Sequence, residues 1–215
     1  MFRFFATVAA LGLVSTFLGC GRGGEKSPAE VKVTPSEQKQ QKEAAAQKPV
    51  SAKPQKKEQV AVIETDLGKI VFRFYFSDAP RHCENFINLA KSGFYNNLIF
   101  HRVVHGFVIQ SGRPKGDGSS NPVHLINAEF NSRRHVLGTV GMARVKDDPN
   151  SASTEFYICL ADCPDLNGNY TVFGQVIEGI DVVRKIGQVE TVPGDRPKIP
   201  VIMRKVTIQE REIPE

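Results

Sequence analysis

The stretch from Phe100 to Gln110 constrains this chain of 215 residues more than any other. Its sequence, FHRVVHGFVIQ, is typical of extended chain with a break at Gly106. Because side chains on a strand alternate between two faces, a cation, an apolar side chain and an amide share one face: Arg102, Val108 and Gln110. A bulge or bend at Gly106 would also bring Phe107 to the rim of the same hollow. The pattern therefore predicts an apolar cup beside a fixed cation and an amide.

This segment and three later motifs together resemble the cyclophilins, a family of peptidyl-prolyl isomerases. The family's first signature reads FHRV-x-x-GF-x-x-QGG, and residues 100–112 match it at Phe, His, Arg, Gly, Phe and Gln. The later motifs follow in the family's order: GMAR at 141–144, STEFYI at 153–158 and LNGNYTVFG at 166–174. The resemblance spans residues from about 60 to about 210, and four motifs at set offsets make it specific.

Patterning over the same region predicts a mainly β domain. The segments 60–65 and 70–75 are typical of a hairpin, with a turn at 66–69. A first helix is predicted next, capped by Ser77 or Asp78, with Pro80 in its first turn and Gly93 at its end. Further strands are predicted near 136–143, 155–160, 171–176 and 202–209, and a second helix near 180–186. Many short strands with two helices favour a closed or nearly closed antiparallel barrel, and the resemblance implies eight strands capped by two α-helices.

The resemblance also implies which side chains form a proline-binding cleft. Arg102 takes the position of the family's catalytic arginine. A guanidinium there can donate a hydrogen bond to the prolyl nitrogen, whose lone pair exists only while the amide is twisted. Phe107 would dock the proline ring and Gln110 would hold a substrate carbonyl. The substrate-binding set would be completed by Val108, Ala143, Arg144, Glu155, Tyr157, Leu166 and Tyr170. This chemistry requires no nucleophile, general base, metal or cofactor.

Several positions depart from the family's common pattern. Asp165 stands where a tryptophan that helps to bind cyclosporin often sits, which weakens any expectation of drug sensitivity. Val108 replaces the usual Met and Tyr170 a frequent His, so that the pocket stays apolar and keeps an aromatic rim. His105 replaces a common Pro. Glu155 replaces the usual Gln, and we expect its negative charge to favour basic residues in the client.

The N-terminal third has the composition of a targeting segment and a linker. Residues 1–19 are typical of a signal peptide, because the apolar run 4–18 is too short to span a bilayer comfortably and follows one early cation, Arg3. The end FLGC resembles a bacterial lipobox, which implies that Cys20 is lipidated; an ordinary signal peptide cut nearby is the alternative. Residues 20–59 contain no aromatic residue and are dense in Lys, Gln, Glu, Ala and Pro, which predicts a disordered tether. Residues 60–215 then suffice for one isomerase domain.

The charge distribution argues against nucleic-acid binding. The chain has a formal net charge of +5, but 18 of its 28 Lys and Arg residues and 18 of its 23 Asp and Glu residues follow Gln59, so the domain is formally neutral. A nucleic-acid-binding domain needs a basic face on its folded part. The cations of the tether either lie near anionic lipid headgroups and other wall polymers or are simply solvated.

We expect a monomer that is lipid-anchored to a bacterial cell membrane on its periplasmic or extracytoplasmic face. The sequence is compatible with either the inner or the outer membrane. Its partners would be exported polypeptides that contain proline. A non-catalytic module that holds proline-bearing segments, as a chaperone or scaffold, is the main alternative, and a structural lipoprotein is the other. The joint presence of Arg102, Phe107 and Gln110 favours the enzyme.

The cysteines allow few conclusions. Cys83, Cys159 and Cys163 remain if Cys20 is lipidated, an odd number for an exported chain. A straight strand would hold Cys159 and Cys163 about 13 Å apart, beyond the reach of a disulfide unless the chain turns sharply between them. We expect free and mostly buried thiols.

Overall fold

The computed structural model describes residues 56–114 and 124–213. These residues belong to one compact unit, Ala52–Glu215. The predicted signal peptide, Cys20 and residues 20–55 of the predicted tether lie outside the described residues. Residues 56–59, which were also assigned to the tether, instead form the first part of strand β1 and pair with residues 210–213. Within the described ranges, no helix is both long and apolar enough to cross a membrane.

The body of the domain is one sheet of nine strands. In chain order these are β1 Lys56–Thr65, β2 Gly68–Phe74, β3 Leu98–Ile99, β4 Arg102–Val104, β5 Val108–Ser111, β6 Thr139–Met142, β7 Phe156–Cys159, β8 Val172–Glu178 and β11 Ile202–Ile213. The short strands β9 Thr191–Val192 and β10 Arg196–Pro197 form a separate ribbon. The helices are α1 Pro80–Lys91 and α2 Ile180–Gly187, and a single 3-10 turn covers Pro164–Leu166.

The sheet is a curled half-barrel rather than the closed eight-stranded barrel that the sequence predicted. Its strands lie in the order β3-β11-β1-β2-β8-β6-β7-β5-β4, so that β3 and β4 are its two edges. The chain passes from one edge to the other at one peptide, because Phe100 donates its N–H to Val201 while His101 donates its N–H to Gln110. With β3 only two residues long and paired to β11, no ladder between β3 and β4 closes the sheet.

The main core lies between the concave face of the sheet and the two helices. Alternate residues of β2, including Phe72 and Phe74, are buried against α1 through Phe86. The ring of Phe86 also stacks on Tyr95, with the two centroids 4.6 Å apart. Burial of one such aromatic side chain contributes about 1.5–3 kcal/mol to folding. Phe156 of β7 joins this core at the other side of Phe86, which fixes the orientation of the strand that carries the site.

The predicted cap of α1 is wrong. The helix does begin with Pro80, whose fixed φ suits a first turn. Its N-cap residue, however, is Ala79, which has no side chain that could accept a hydrogen bond. Asp78 is engaged elsewhere, in an ion pair of 2.8 Å with Arg133, and Ser77 donates to Asp78 rather than capping the helix.

A carboxylate from a distant loop supplies the missing cap. Glu129 accepts the backbone N–H groups of Arg81 and His82 at 3.2 and 3.0 Å, and its Oε2 lies 2.6 Å from Nδ1 of His82. Burial lowers the pKa of the His82 imidazole, although the contact with Glu129 opposes that shift. Local sequence could not reveal this cap, because the contact joins residues 47 positions apart.

Candidate active site

Strands β4 and β5 form a tight hairpin, whereas the sequence suggested one extended stretch with a bend. The turn contains Gly106 at φ +71°, a left-handed conformation that glycine adopts without strain. The register pairs Arg102 with Gln110 and Val104 with Val108. Residues opposite each other in an antiparallel pair project to the same side. The hairpin therefore holds the guanidinium and the amide side by side, closer than a single strand could.

The guanidinium of Arg102 is held from two directions. Its Nη1 donates to Oε1 of Gln110 at 3.5 Å, and its Nε lies 3.3 Å from Oδ2 of Asp195. Asp195 lies in the turn between β9 and β10, and its carbonyl accepts the N–H of Val103 at 2.7 Å. The side chain of Arg102 is 39% exposed, so the cation is oriented yet open to a bound molecule.

An apolar cluster lies beside this pair, on the face of β5 and β7 that points away from the main core. We call it the outer cluster. Six predicted site residues belong to it, together with Val104, Cys159 and Cys163: Phe107, Val108, Ala143, Tyr157, Leu166 and Tyr170. Phe156, the neighbour of Tyr157, lies in the main core, as the alternation of the strand predicts. The side chain of Val108 is buried, while those of Phe107, Leu166 and Tyr170 are half-buried.

Tyr157 is anchored in the outer cluster by His135. Asn167 accepts both the backbone N–H and the ring Nδ1–H of His135 through its Oδ1, at 2.8 and 3.0 Å. The other ring nitrogen, Nε2, is therefore the lone-pair nitrogen of a neutral imidazole and accepts the hydroxyl proton of Tyr157 at 2.9 Å. Burial lowers the pKa of His135, which keeps the ring neutral, and raises the pKa of the Tyr157 phenol.

Glu155 fixes the amide of Gln110. Its Oε2 accepts a hydrogen bond from Nε2 of Gln110 at 2.9 Å, and both of its oxygens accept from Arg113, at 2.8 and 3.0 Å. The ring of His101 adds a contact of 3.3 Å to the same oxygen, without a well-aligned hydrogen bond. Burial would raise the pKa of Glu155, but His101 and Arg113 outweigh it and lower the pKa to about 2.

The expectation that Glu155 attracts basic client residues is therefore not supported by its surroundings. A bidentate arginine offsets its charge, and its side chain is only 14% exposed. Its position instead orients Gln110 so that the amide oxygen faces Arg102. Arg113 was not singled out from the sequence, because nothing in the local pattern around it indicates a partner 42 residues away.

Ala143 and Arg144 follow the end of β6 and border a hollow of about 420 Å³ next to the outer cluster. The N–H of Ala143 donates to the carbonyl of Glu155 at 2.9 Å, which ties this segment to the residue just before β7. A larger hollow of about 570 Å³ lies beside β1 and β2, away from the hairpin. Two arginines of its lining are paired, Arg73 with Glu58 and Arg133 with Asp78, each at 2.8 Å, and none of the site residues predicted from the sequence lines it.

The arrangement suits conformational rather than covalent chemistry. The two thiols of the outer cluster, Cys159 and Cys163, are free and buried, and burial raises the pKa of each, so neither is an activated nucleophile. What the site offers is an oriented cation, an oriented amide and an apolar surface. The sequence identified these groups but missed the residues that orient them, namely Asp195, Arg113, His135 and Asn167.

Comparison with known proteins settles the family. The model of the family described as cyclophilin type peptidyl-prolyl cis-trans isomerase/CLD matches residues 60–208. The chain belongs to this family. Relatives that carry the name peptidyl-prolyl cis-trans isomerase at 32–42% identity make it an isomerase of that type.

Three of these relatives come from distant organisms. The peptidyl-prolyl cis-trans isomerase of Helicobacter pylori is 42% identical over 132 residues, which is 60% of this chain and 80% of that protein. The isomerase ppi1 of Schizosaccharomyces pombe is 39% identical, over 65% of this chain and 92% of its own. The isomerase CYP18-2 of Arabidopsis thaliana is 32% identical, over 73% and 99%.

The fold is similar to that of a solved relative. A cyclophilin-type peptidyl-prolyl cis-trans isomerase of Cryptosporidium parvum, crystallised in the presence of the dipeptide Ala-Pro, superposes with a TM-score of 0.67 at 29% identity. The match covers 70% of this chain and 98% of that one.

Proposed function

We propose that this isomerase binds a proline ring on the outer cluster and stabilises the twisted amide through Arg102. The observation that carries the proposal is the hairpin register, which sets Arg102 opposite Gln110 beside Phe107 and Val108. Rotation about an X–Pro bond has a barrier of about 18–20 kcal/mol and breaks no covalent bond. An enzyme therefore needs only to stabilise the rotated geometry better than the planar one.

Arg102 acts on the atom that changes most during rotation. As the amide twists, the prolyl nitrogen loses conjugation and gains a lone pair, which can accept a hydrogen bond. A guanidinium held by Asp195 and Gln110 presents its remaining N–H groups without first having to reorganise. Gln110, itself fixed by Glu155, holds a carbonyl of the client so that one side of the bond stays in place while the other turns.

The outer cluster holds the proline ring in both planar and twisted states. Phe107, Leu166 and Tyr170 are half-buried without a ligand, and their exposed surface becomes covered when a ring docks. The hydrogen bond from Tyr157 to His135 keeps the floor of the cluster fixed. The dipeptide Ala-Pro present with the Cryptosporidium relative supports proline as the residue recognised.

The direct test is a cis-to-trans assay on a short X–Pro peptide with residues 52–215, the compact unit. The proposal predicts that the domain accelerates isomerisation, which takes tens of seconds or longer without a catalyst. If the domain binds the peptide at this site without accelerating rotation, it is a holder of proline-bearing segments, and the enzymatic proposal fails.

We further propose that the clients are exported proteins and that Cys20 carries a lipid anchor. The support is the N-terminal sequence, an apolar run that ends in FLGC followed by an aromatic-free linker. A diacylated cysteine attaches a protein stably where a single chain is marginal. Cys20→Ser should release an exported protein from the membrane fraction. If the variant fractionates with membranes as the wild type does, the anchor lies elsewhere.

A further inference from the structure

The hollow beside Ala143 and Arg144 adjoins the outer cluster, but its lining includes several polar and charged residues. Ala143 belongs to the outer cluster and also lines the hollow of about 420 Å³, whose walls include Gln110, Leu125, Arg144 and Thr154. The residue before a proline is restricted to extended conformations. In an extended segment, side chains two positions apart lie on the same side. A client whose proline occupies the outer cluster therefore directs the side chain two residues earlier toward this hollow.

One charged side chain of the hollow's lining, Arg144, is not offset by an acidic side chain of the described residues. Two other ionised side chains line it, but Arg113 and Glu155 form a bidentate pair and offset each other. Arg144 has no acidic partner among the described residues. Its Nε donates to the carbonyl of Asn169 at 3.0 Å, and its Nη1 donates to the carbonyls of Val145 and Lys146. These are neutral acceptors, so they hold the guanidinium without cancelling its charge.

The guanidinium of Arg144 is also fixed against the outer cluster. Its central carbon lies 4.5 Å from the ring centroid of Tyr170. Three of its five N–H groups are used by the carbonyls, while the two on Nη2 have no acceptor among the described residues. A cation that is already ordered loses little conformational entropy when it binds a carboxylate.

Neighbouring charges do not compensate for it within the hollow. Asp147 and Asp148 lie on the following turn, exposed and outside the lining. Asp148 accepts hydrogen bonds from Asn150 and Ser151 within its own loop. Lys146 is exposed and also outside the lining, which makes it a matched control for the effect of a nearby positive charge.

We propose that Arg144 makes the isomerase prefer clients with Asp or Glu two residues before the proline. The inference rests on the proposed function, since it assumes that the proline occupies the outer cluster. It reverses the charge preference expected from Glu155 alone. A carboxylate in the hollow would accept the two N–H groups of Nη2, and a lysine there would meet an unpaired cation.

The test compares kcat/KM for three peptides of the form X-Ala-Pro-Phe, with X as Glu, Gln or Lys. For a half-exposed, pre-ordered pair we expect the Glu peptide to exceed the Lys peptide by about three- to tenfold at low salt. The ratio should fall toward 1 as salt rises to 1 M, because screening removes the charge term. Arg144→Gln should bring the ratio close to 1, Arg144→Lys should keep part of it, and Lys146→Gln should leave it near the wild-type value.

The outcomes separate this inference from the proposed function. Turnover of all three peptides with a wild-type ratio near 1, or a ratio that Arg144→Gln leaves unchanged, overturns the charge preference and leaves the isomerase proposal intact. If none of the peptides is turned over, the catalytic proposal fails, and the affinities of the same three peptides then decide the charge preference. The salt dependence of the wild type decides the question even if a variant does not fold.

Discussion

At the scale of single residues, the site depends on groups that orient other groups. The sequence identified Arg102 and Gln110, but each takes its direction from a carboxylate. Asp195, beside Arg102, was not indicated by the sequence, and Glu155, beside Gln110, was expected to contact the client rather than to orient the amide. Both carboxylates come from segments far away in the chain. Local patterns can identify which side chains carry chemistry, whereas their partners emerge only when the sheet curls.

Loss of the contact between Asp195 and Arg102 should lower the turnover of an X–Pro peptide. Asp195→Asn removes the charge beside Arg102 but keeps the backbone, since Asn tolerates the left-handed φ of +63° at this position. Because the ion pair is 39% and 47% exposed, its loss is expected to cost less than about 1 kcal/mol, or two- to fivefold in kcat/KM. The fall should appear in kcat more than in peptide affinity. Equal kcat for the variant and the wild type would show that Asp195 does not position the guanidinium.

The contribution of Glu155 to the free energy of unfolding should depend on pH. Its pKa is lowered to about 2 in the folded state, below the 4.5 of a free carboxyl, so it stabilises the fold fully above about pH 4.5 and loses that effect as the pH falls toward 2. Glu155→Gln should lower the free energy of unfolding by roughly 1–3 kcal/mol at pH 7. Urea titrations from pH 7 to pH 3.5 should show the two proteins converging on the acid side.

Comparison of the wild type with Glu155→Gln also distinguishes the effect of Glu155 on acid stability from that of the buried histidines. His82 and His135 have lowered pKa values, so both destabilise the fold progressively as the pH falls below about 6.5. That loss is common to the wild type and to Glu155→Gln, and it cancels in the difference between them. A difference that stays constant down to pH 3.5 would mean that the pKa of Glu155 is not lowered.

At the scale of elements, the sequence predicted most of the strands and both helices but not how they end. The strands predicted near 155–160 and 171–176 correspond to β7 and β8, and the helix predicted near 180–186 matches α2 within one residue. The hairpin at Gly106 was predicted only as a bend, because one glycine permits a bulge and a tight turn equally. The start of α1 was assigned the wrong cap, because Ser77 and Asp78 are good local candidates and the actual acceptor is remote.

The two cap candidates can be compared directly. Glu129→Gln leaves the helix N–H groups of Arg81 and His82 facing an amide instead of a carboxylate, and we expect a loss of about 1–3 kcal/mol in unfolding free energy. Asp78→Asn breaks the partly exposed pair with Arg133, while the amide oxygen can still accept the hydroxyl of Ser77, so we expect a loss of less than about 1 kcal/mol. Chemical denaturation of the two variants is the measurement. A larger loss for Asp78→Asn would contradict the role given to Glu129.

At the scale of the whole molecule, the prediction of a closed barrel failed for a specific reason. The sequence indicated many short strands, and the resemblance implied eight of them, whereas the sheet has nine. Closure depends on whether the two edge strands form a ladder with each other. Here the edge strand β3 has two residues and both pair with β11. Nothing in residues 98–104 distinguishes one continuous strand from two short ones that belong to opposite edges.

The N-terminal segment is expected to add nothing to the stability of the domain. Its composition cannot bury a core, and the unit Ala52–Glu215 has its own. Deletion of residues 1–51 should leave the unfolding midpoint of the domain unchanged within about one degree, measured by thermal denaturation against the chain that keeps residues 21–51. A drop of many degrees on deletion would show that this segment packs on the sheet.

The central claim is that Arg102 acts on the twisted amide, and the most direct test is the turnover of an X–Pro peptide by Arg102→Ala. We expect kcat/KM to fall about 100-fold or more, near 3 kcal/mol, while the affinity for a proline peptide changes little. Phe107→Ala should instead weaken affinity and turnover together, because the ring contact exists in both states. Arg102→Lys should rescue poorly, since an ammonium lacks the planar fork.

An exposed arginine on α2 provides the control for that measurement. Arg184→Ala removes an exposed cation from the last turn of α2 and should leave kcat/KM at the wild-type value. The account predicts a loss of at least 100-fold for Arg102→Ala with intact binding and none for Arg184→Ala. An active wild type whose kcat/KM survives Arg102→Ala would contradict it.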